Sequence, residues 1–264
     1  MDNIRESIII KKTAATGQII FNDPKRYNAV SFVMWEKLKN ALVRFAQDSD
    51  VRSIVFLGAG DKAFVSGANI SEFEQLRTKS EDVQLYEEIV EEVQLMILNY
   101  PKPTIAKIRG YCLGVGMGIA LCCDIRIASV TGIFAIPAAR LGIGYRLSAV
   151  ANIIRQTGAA TALDILLSAR RFTAEEALNR GLVHYVIADE QLDKFVNQYI
   201  SEVNQNAPMT LTLAKEMINA LTQTPQHIDN AYFARRVREC YESNDHKEGK
   251  AAFKEKRFPR FLGN

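Results

Sequence analysis

Two glycine-containing loops carry the backbone groups in this sequence that are best suited to chemistry. The first is Phe64-Val65-Ser66-Gly67-Ala68-Asn69-Ile70, and the second runs from Gly110 to Gly118. Each lies just after or between strand-like segments, where backbone N–H groups can point into a pocket. The second loop opens a short helix at Val115, whose dipole adds positive potential. The plainer alternative is that Gly67 and Gly114 only allow tight turns.

The second loop fits a dinucleotide-binding site poorly. In Gly114-Val115-Gly116-Met117-Gly118-Ile119, an isoleucine stands where the third glycine of the GxGxxG fingerprint belongs. We therefore do not expect a nicotinamide or flavin nucleotide at this loop.

The histidines and cysteines lack the spacing of a metal or nucleophile site. The histidines are His184, His227 and His246, and the cysteines are Cys112, Cys122, Cys123 and Cys240. No histidine has an evident nucleophile partner, and two adjacent cysteines do not make a CxxC pair. We expect the cysteines to be reduced core residues, the histidines to be structural, and the protein to use no metal or other cofactor.

The elements that hold the loops follow the order strand, loop, helix, strand, which predicts an α/β fold. Predicted strands cover residues 7–11 and 18–21, joined by a turn at Gly17, and then 52–57, 104–108 and 125–128. Apolar residues spaced as on one helix face follow Ser31, a good N-cap, and residues 115–123 form a short helix. The C-terminal predictions are helices over 191–203, 211–221 and 231–242, with breaks at Pro208 and Pro225.

Composition and charge are those of a soluble globular protein. The 264 residues are 48% hydrophobic and carry a formal net charge of +3, with basic and acidic residues scattered along the chain. This balance favours neither a nucleic acid nor a membrane as partner. The first residues lack the apolar stretch of a signal peptide, and the longest apolar run is too short to span a bilayer, so we expect a cytoplasmic protein.

Four stretches, in order, resemble the enoyl-CoA hydratase/isomerase (crotonase) family. They are Asn22-Asp23-Pro24-Lys25-Arg26-Tyr27-Asn28-Ala29, Ala63-Phe64-Val65-Ser66-Gly67-Ala68-Asn69-Ile70, Gly110-Tyr111-Cys112-Leu113-Gly114-Val115-Gly116-Met117-Gly118, and Ala252-Phe253-Lys254-Glu255-Lys256-Arg257. Each motif alone is weak, but together they span nearly the whole chain. The resemblance implies a spiral of strand-strand-helix turns over residues 1–190. It also implies a helical region over 191–264 that builds homotrimers, often paired into hexamers.

The resemblance also implies an acyl-CoA thioester as substrate, held by an oxyanion hole. The two backbone N–H donors would be those of Ala68 and Val115. A thioester oxygen that gains negative charge needs such preorganised donors. For coenzyme A, the resemblance points to Lys25 and Arg26 near the phosphates, Ala68, Asn69 and Ile70 near the adenine, and Phe253 with Lys256 from a neighbouring subunit.

The sequence departs from the family pattern at the catalytic positions. Hydratases of the family use two glutamates, and the matching positions here hold Gly118 and Ala138, which cannot transfer a proton. Hydration by the usual mechanism is therefore not expected. The usual aspartate after Gly-Ala is replaced by Asn69, which bears on how the loop is braced. Glutamates of the following acidic stretch, Glu72, Glu74, Glu87, Glu88 and Glu91, are open alternatives as a replacement acid, although most belong to a solvated helix face.

A tyrosine partly matches a different branch of the family. Leu141-Gly142-Ile143-Gly144-Tyr145 resembles the Leu-Gly-x-x-Tyr step of methylmalonyl-CoA decarboxylases, in which the tyrosine lies in the active site. Decarboxylation needs an oxyanion hole and no catalytic base. The branch has a histidine where this chain has Ala68, so the match is incomplete. Tyr145 packed in a turn, and Arg140 as an ordinary surface residue, remain alternatives.

Three functions follow from these observations. The leading hypothesis is an enzyme that acts on an acyl-CoA through a stabilised thioester enolate, with decarboxylation favoured over hydration. The alternative from another class is a non-catalytic acyl-CoA-binding paralogue that kept the fold. An RNA-binding role would need a basic helix, and Arg235-Arg236-Val237-Arg238 is a short candidate, so we do not expect a nucleic-acid partner.

Overall fold

The structure is a computed structural model that describes residues 7–69, 80–223 and 225–264. Its strands are β1 (Ile8–Thr13), β2 (Thr16–Phe21), β3 (Ser53–Gly58), β4 (Ala63–Val65), β5 (Thr104–Ile108), β6 (Tyr111–Leu113), β7 (Ile125–Ser129), β8 (Ile133–Ala135), β9 (Phe172–Thr173) and β10 (Tyr185–Ile187). Its helices are α1 (Phe32–Gln47), α2 (Ser80–Leu98), α3 (Val115–Cys122), α4 (Leu147–Ser168), α5 (Ala174–Asn179), α6 (Leu192–Asn204), α7 (Pro208–Gln223), α8 (Asn230–Glu242) and α9 (Asn244–Glu255). Short 3₁₀ turns cover Pro24–Arg26, Pro137–Leu141, Asp189–Gln191 and Pro225–His227.

From β3 to β8, successive strands alternate between two sheets. The larger sheet has the order β1-β2-β3-β5-β7-β10, and the smaller one has the order β4-β6-β8-β9. Apart from the β1–β2 and β8–β9 pairs, neighbouring strands run parallel. The chain therefore places one strand in each sheet and then a helix, three times in succession, through α2, α3 and α4. This is the predicted spiral of strand-strand-helix turns.

The core lies between the sheets and the helices that cover them. Trp35 of α1 is fully buried, as are Phe21, Phe56, Phe64 and Phe134 from strands of both sheets. The Ser31 hydroxyl caps α1 by accepting a hydrogen bond from Met34 N at 3.2 Å, as the sequence predicts. Burial of apolar residues on the α1 face holds this helix against the larger sheet.

The predicted turn at Gly17 is wrong. The β1–β2 hairpin reverses at Ala14 and Ala15, and Ala14 has a φ of 49°. Gly17 instead lies inside β2, where a Cβ atom would stand 2.8 Å from Ile54 Cδ1 and 2.9 Å from Phe45 Cδ2. Glycine at this position lets side chains of α1 and β3 pack closely against β2. Glycine inside a strand often marks such a close contact.

The C-terminal region is helical, and its breaks lie at the two predicted prolines. Pro208 begins α7 after α6 has ended at Asn204, as expected for a residue whose missing N–H is not needed in a first turn. Pro225 lies in the 3₁₀ turn that precedes α8. The helix α9 was not predicted, because its sequence is polar and its apolar residues are few. The division of the chain at residue 190 and the oligomerisation of the C-terminal part stay predictions.

A buried arginine joins several elements behind the small sheet. Arg126 of β7 is 1% exposed. Its guanidinium donates to Cys123 O at 2.8 Å, Leu182 O at 2.7 Å and Gln156 Oε1 at 2.9 Å. These acceptors belong to the C-cap of α3, the segment before β10 and the helix α4. Arg126 therefore fixes α3 relative to two later parts of the chain.

Within the three described ranges, no helix is both long enough and apolar enough to cross a bilayer.

Candidate functional site

The two glycine loops and the 3₁₀ turn at residue 138 leave the small sheet at one edge. The strands β4, β6 and β8 are parallel neighbours, so their carboxyl ends meet. The first loop follows β4, the second follows β6, and Pro137–Leu141 follows β8. This edge is the usual place for a ligand in parallel sheets. The fold thus brings together Ala68, Val115 and Ala138, which lie far apart in the sequence.

The first loop presents the Ala68 N–H away from its neighbouring chain segment. Val30 N donates to Gly67 O and Asn69 N donates to Val30 O, both at 2.9 Å, so Ala68 is the paired residue of a parallel bridge. The N–H of such a residue faces the opposite side. Gly67 has a φ of 131°, a conformation open to glycine and strained for other residues. The backbone N–H of Asn69 makes one of these two hydrogen bonds, so this support of the loop does not depend on the side chain at position 69.

The second loop turns directly into α3. Gly114 is the N-cap, with φ 52° and ψ −117°, and Val115 is the first helical residue. The first hydrogen bond of the turn joins Gly118 N to Gly114 O at 3.1 Å, so the Val115 N–H has no intrahelical acceptor. A Cβ atom on Gly116 would lie 2.3 Å from Val65 O. The glycine at position 116 lets α3 pack against the end of β4.

The two loops lie against each other, which suits two donors aimed at one oxygen. A Cβ atom on Gly114 would stand 3.7 Å from Gly67 Cα, and one on Gly67 would stand 3.9 Å from Leu113 O. Among the described residues, no backbone acceptor takes the N–H of Ala68 or of Val115. Two free N–H groups on touching loops, one of them at a helix N-terminus, can stabilise an oxyanion.

A small cavity lies beside Gly118, on the first turn of α3. It has a volume of about 30 Å³ and is lined by residues of α2, α3 and α4 together with Tyr145. Gly118 contributes only backbone, and the partly buried Ala138 packs against the main core. Neither position carries a group that transfers a proton.

Tyr145 lines this cavity, as its predicted role requires. The ring packs against the main core, and the hydroxyl makes no hydrogen bond to another residue in the described part of the chain. Burial raises the pKa of Tyr145 to about 12, so the hydroxyl stays protonated near neutral pH. Tyr145 therefore carries a neutral hydroxyl that makes no hydrogen bond to a group of its own turn among the described residues. Arg140 lies exposed on the adjacent 3₁₀ turn.

The helices α2 and α4 add polar groups to the cavity, among them Glu91, which the sequence indicated, and Gln94 and Ser148, which it did not. Gln94 and Glu91 line the cavity from α2, and Ser148 lines it from α4. The Ser148 hydroxyl donates to Glu91 Oε1 at 2.5 Å. Of the five glutamates considered as replacement acids, Glu91 lines the cavity, Glu87 pairs with Arg146 and Glu88 accepts from Gln84. Glu72 and Glu74 lie outside the described residues.

Lys25 and Arg26 lie beside the first loop, on an exposed 3₁₀ turn. The Ser66 hydroxyl donates to Arg26 O at 3.3 Å, and Lys25 lines a surface pocket of about 250 Å³. Asn28, which the sequence reading did not single out, holds this turn in place. Its buried side chain donates to Ala63 O at 2.7 Å and accepts from Asp23 N at 3.0 Å. The position of the two cations is compatible with phosphate binding.

The other predicted coenzyme A residues are not brought to this edge. Phe253 is 87% exposed on α9 and lines a groove of about 610 Å³ among the C-terminal helices. Lys256 follows as the exposed C-cap of α9. Neither residue lines the cavity at Gly118. Their predicted role in a neighbouring subunit stays a prediction, and Ile70 lies outside the described residues.

The described histidines and cysteines form no reactive centre. No group of three or more His, Cys, Asp or Glu side chains suited to a metal occurs among the described residues. Burial raises the pKa of Cys122, which lines the cavity, to about 12, so this thiol is neutral. Burial and the neighbouring Arg126 lower the pKa of His184 to about 4, and its Nδ1 accepts from Arg126 N at 3.1 Å. His184 is a structural acceptor rather than a base in the site.

The family can be decided by comparison with known proteins. The family model described as enoyl-CoA hydratase/isomerase matches residues 11–264. The chain belongs to the enoyl-CoA hydratase/isomerase family. Membership of this family of acyl-CoA-processing enzymes agrees with the site described above, where two adjacent loops offer N–H donors.

Two relatives with different activities have nearly the same sequence identity to this chain. A short-chain-enoyl-CoA hydratase of Clostridium acetobutylicum is 30% identical over 253 residues, which is 95% of each chain. A methylmalonyl-CoA decarboxylase of Escherichia coli is 29% identical over 262 residues, 97% of each chain. The solved structure of an enoyl-CoA hydratase/carnithine racemase from Magnetospirillum magneticum has a TM-score of 0.92 at 32% identity, covering 98% of this chain and 96% of its own. Overall similarity therefore does not choose between hydration and decarboxylation.

Proposed function

We propose that this protein is an enzyme that decarboxylates a short malonyl-type thioester, such as methylmalonyl-CoA, through a thioester enolate. The cavity beside Gly118 carries the proposal. Tyr145, whose hydroxyl stays neutral, is one of its lining residues, while positions 118 and 138 supply no acid or base. A reaction that needs an oxyanion hole but no catalytic base fits these groups better than the addition of water does.

The proposed reaction begins with the thioester oxygen between the two loops. The N–H groups of Ala68 and Val115 donate to this oxygen, and the substrate carboxylate lies in the cavity beside Gly118. The bond between the α-carbon and the carboxylate breaks, its electron pair moves into the enolate, and CO₂ leaves. The α-carbon then takes a proton that comes from solvent, which gives propionyl-CoA when the substrate is methylmalonyl-CoA.

Tyr145 orients the carboxylate in this scheme. Its raised pKa keeps the hydroxyl a donor at neutral pH, and a donor without another partner is free to bind a carboxylate oxygen. Holding the carboxylate out of the plane of the thioester aligns the breaking bond with the carbonyl π system. The neutral residues at positions 118 and 138 also add no negative charge near the substrate.

A second candidate function follows from Glu91. This carboxylate lines the same cavity and accepts the hydrogen bond of Ser148, so it is placed where a replacement acid or base for water addition would act. In that case the protein would be a hydratase with an acid on α2. The non-catalytic alternative, an acyl-CoA-binding paralogue, predicts binding of the same thioesters without turnover.

Replacing Tyr145 by phenylalanine is expected to slow decarboxylation of methylmalonyl-CoA by about 10- to 100-fold, since one hydrogen bond to a charged group is lost. The assay follows CO₂ release and the mass of the thioester product. Tyr185→Phe is the matched control, because the Tyr185 ring packs on Phe195 and Tyr199 away from the cavity. Full activity in Tyr145→Phe would contradict the proposed role of the hydroxyl.

Glu91→Gln separates the candidate functions in the same assay. If decarboxylation is correct, this variant keeps its rate on methylmalonyl-CoA within a few-fold. Rapid hydration of crotonyl-CoA by the wild type, lost in Glu91→Gln, would instead establish the hydratase alternative. Binding of both thioesters with no product from either would support the non-catalytic alternative.

A further inference from the structure

The side-chain amide of Gln94 packs against the backbone of Gly118. A Cβ atom on Gly118 would stand 2.5 Å from Gln94 Nε2 and 3.5 Å from Gln94 Cδ. Real Cβ atoms do not approach a neighbour as closely as 2.5 Å. The amide of a residue on α2 therefore fills the space into which any side chain at position 118 would extend.

The helix α2 is held in this position by contacts on two sides. Glu87 accepts from Arg146 through its backbone O at 2.7 Å and its Oε2 at 3.2 Å, and Glu91 accepts from Ser148 at 2.5 Å. On the opposite side, Glu92 pairs with Lys39 of α1 at 2.6 Å. These contacts lie within the two turns of α2 that precede Gln94 and fix that part of the helix relative to α1 and α4.

Beyond Gly118, apolar side chains form one part of the cavity wall, and Glu91, Tyr145, Ser148 and Asn152 contribute polar groups to the rest. The apolar residues are Leu95 and Leu98 of α2, Leu121 of α3 and Ile153 of α4. A water needs roughly 10–15 Å³ of such space, so a cavity of about 30 Å³ has room for a group about the size of two waters. The apolar part of the wall would suit a hydrocarbon chain, but the amide leaves no room for one.

We propose that Gln94 is a specificity-determining residue that restricts the substrate to short acyl groups. The inference rests on the proposed function in one respect, namely that the acyl group of the thioester lies beside Gly118. A methyl or carboxyl substituent fits next to the amide. A longer chain must displace the amide from the space beside Gly118. When the amide is removed, the space that the glutamine side chain occupied adds to the small cavity.

The test compares propionyl-CoA with hexanoyl-CoA, since neither thioester carries a carboxylate that can be lost. Dissociation constants are measured by isothermal titration with the full chain. The wild type is expected to bind hexanoyl-CoA at least tenfold more weakly than propionyl-CoA. In Gln94→Ala the two constants become equal or reverse, and Gln94→Asn, which is shorter by one methylene, gives an intermediate ratio.

Gln84→Ala is the matched control because Gln84 lies on the same helix, is exposed and donates its amide to Glu88. This control should keep the wild-type ratio. An unchanged ratio in folded Gln94→Ala or Gln94→Asn, or equal binding of both thioesters by the wild type, would overturn the inference. If the Gln94 effect appears but methylmalonyl-CoA is not decarboxylated, the proposed reaction alone fails. If neither thioester binds the wild type, both proposals fail.

Discussion

Replacing Val115 by proline is expected to lower kcat for methylmalonyl-CoA decarboxylation by about 10²- to 10³-fold, the usual loss for one oxyanion-hole donor. Proline removes the backbone N–H of position 115 without removing a helical hydrogen bond, since Val115 is the first residue of α3. A residue that precedes proline usually has an extended backbone. Gly114, with φ 52° and ψ −117°, has nearly the mirror image of that extended conformation. A residue without a Cβ atom accepts that conformation.

Val115→Ala is the control for this substitution. It retains the N–H group and removes only part of a side chain that packs against the core, so most of the activity should remain. Rate constants under saturating substrate and melting temperatures are measured for both variants. If Val115→Pro folds with a wild-type melting temperature and retains more than a tenth of kcat, the Val115 N–H does not stabilise the transition state.

Arg126→Met is expected to give the largest loss of stability, about 3–5 kcal/mol in the free energy of unfolding. Methionine has a similar length but donates no hydrogen bond, so Cys123 O, Leu182 O and Gln156 Oε1 lose their charged donor inside the protein. Burial lowers the pKa of Arg126 to about 10, which still leaves the guanidinium charged near neutral pH. Thermal unfolding should shift down on the order of 10 °C.

Arg44→Met provides the comparison, because Arg44 is exposed near the end of α1. A surface substitution of this kind changes stability by less than about 1 kcal/mol. Denaturant unfolding of the two variants, analysed with a common slope, gives the difference. A loss below about 1 kcal/mol for Arg126→Met would mean that solvent or a rearranged α3 satisfies the three acceptors.

The elements with strong local signals could be predicted from the sequence. The Ser31 cap and the spacing of apolar residues predict α1, and the apolar runs predict β3, β5 and β7 close to their observed bounds. These signals depend on residues within one turn or one strand. The two glycine loops were also found in this way, because glycine at positions 67 and 114 is required by the backbone itself.

The second sheet could not be predicted in the same way. The strands β4, β6 and β8 have three residues each, which is too short for a period to appear. Their pairing depends on contacts between residues far apart in sequence. The meeting of the first loop, the second loop and the 3₁₀ turn at one edge depends on that sheet, so sequence motifs indicated the site residues without giving their arrangement.

Side chains that enter the site from a neighbouring helix were the hardest to predict. Gln94 stands among many polar residues of α2, and nothing in its spacing separates it from an exposed glutamine such as Gln84. Its contact with Gly118 arises because position 118 has no side chain. The glycine at position 118 was visible in the sequence, whereas the residue that fills the space beside it was not.

The site divides between main-chain and side-chain groups, and this has a consequence for how activities diverge among relatives. The proposed donors at positions 68 and 115 are N–H groups of loops whose shape is set by Gly67, Gly114 and Gly116. Most substitutions at positions 68 and 115 keep an N–H, so activation of a thioester can be inherited with the fold. Side chains at positions 118, 138 and 145 are free of that constraint. Exchange of these side chains would let descendants of one ancestor acquire new reactions without rebuilding the loops that hold the substrate.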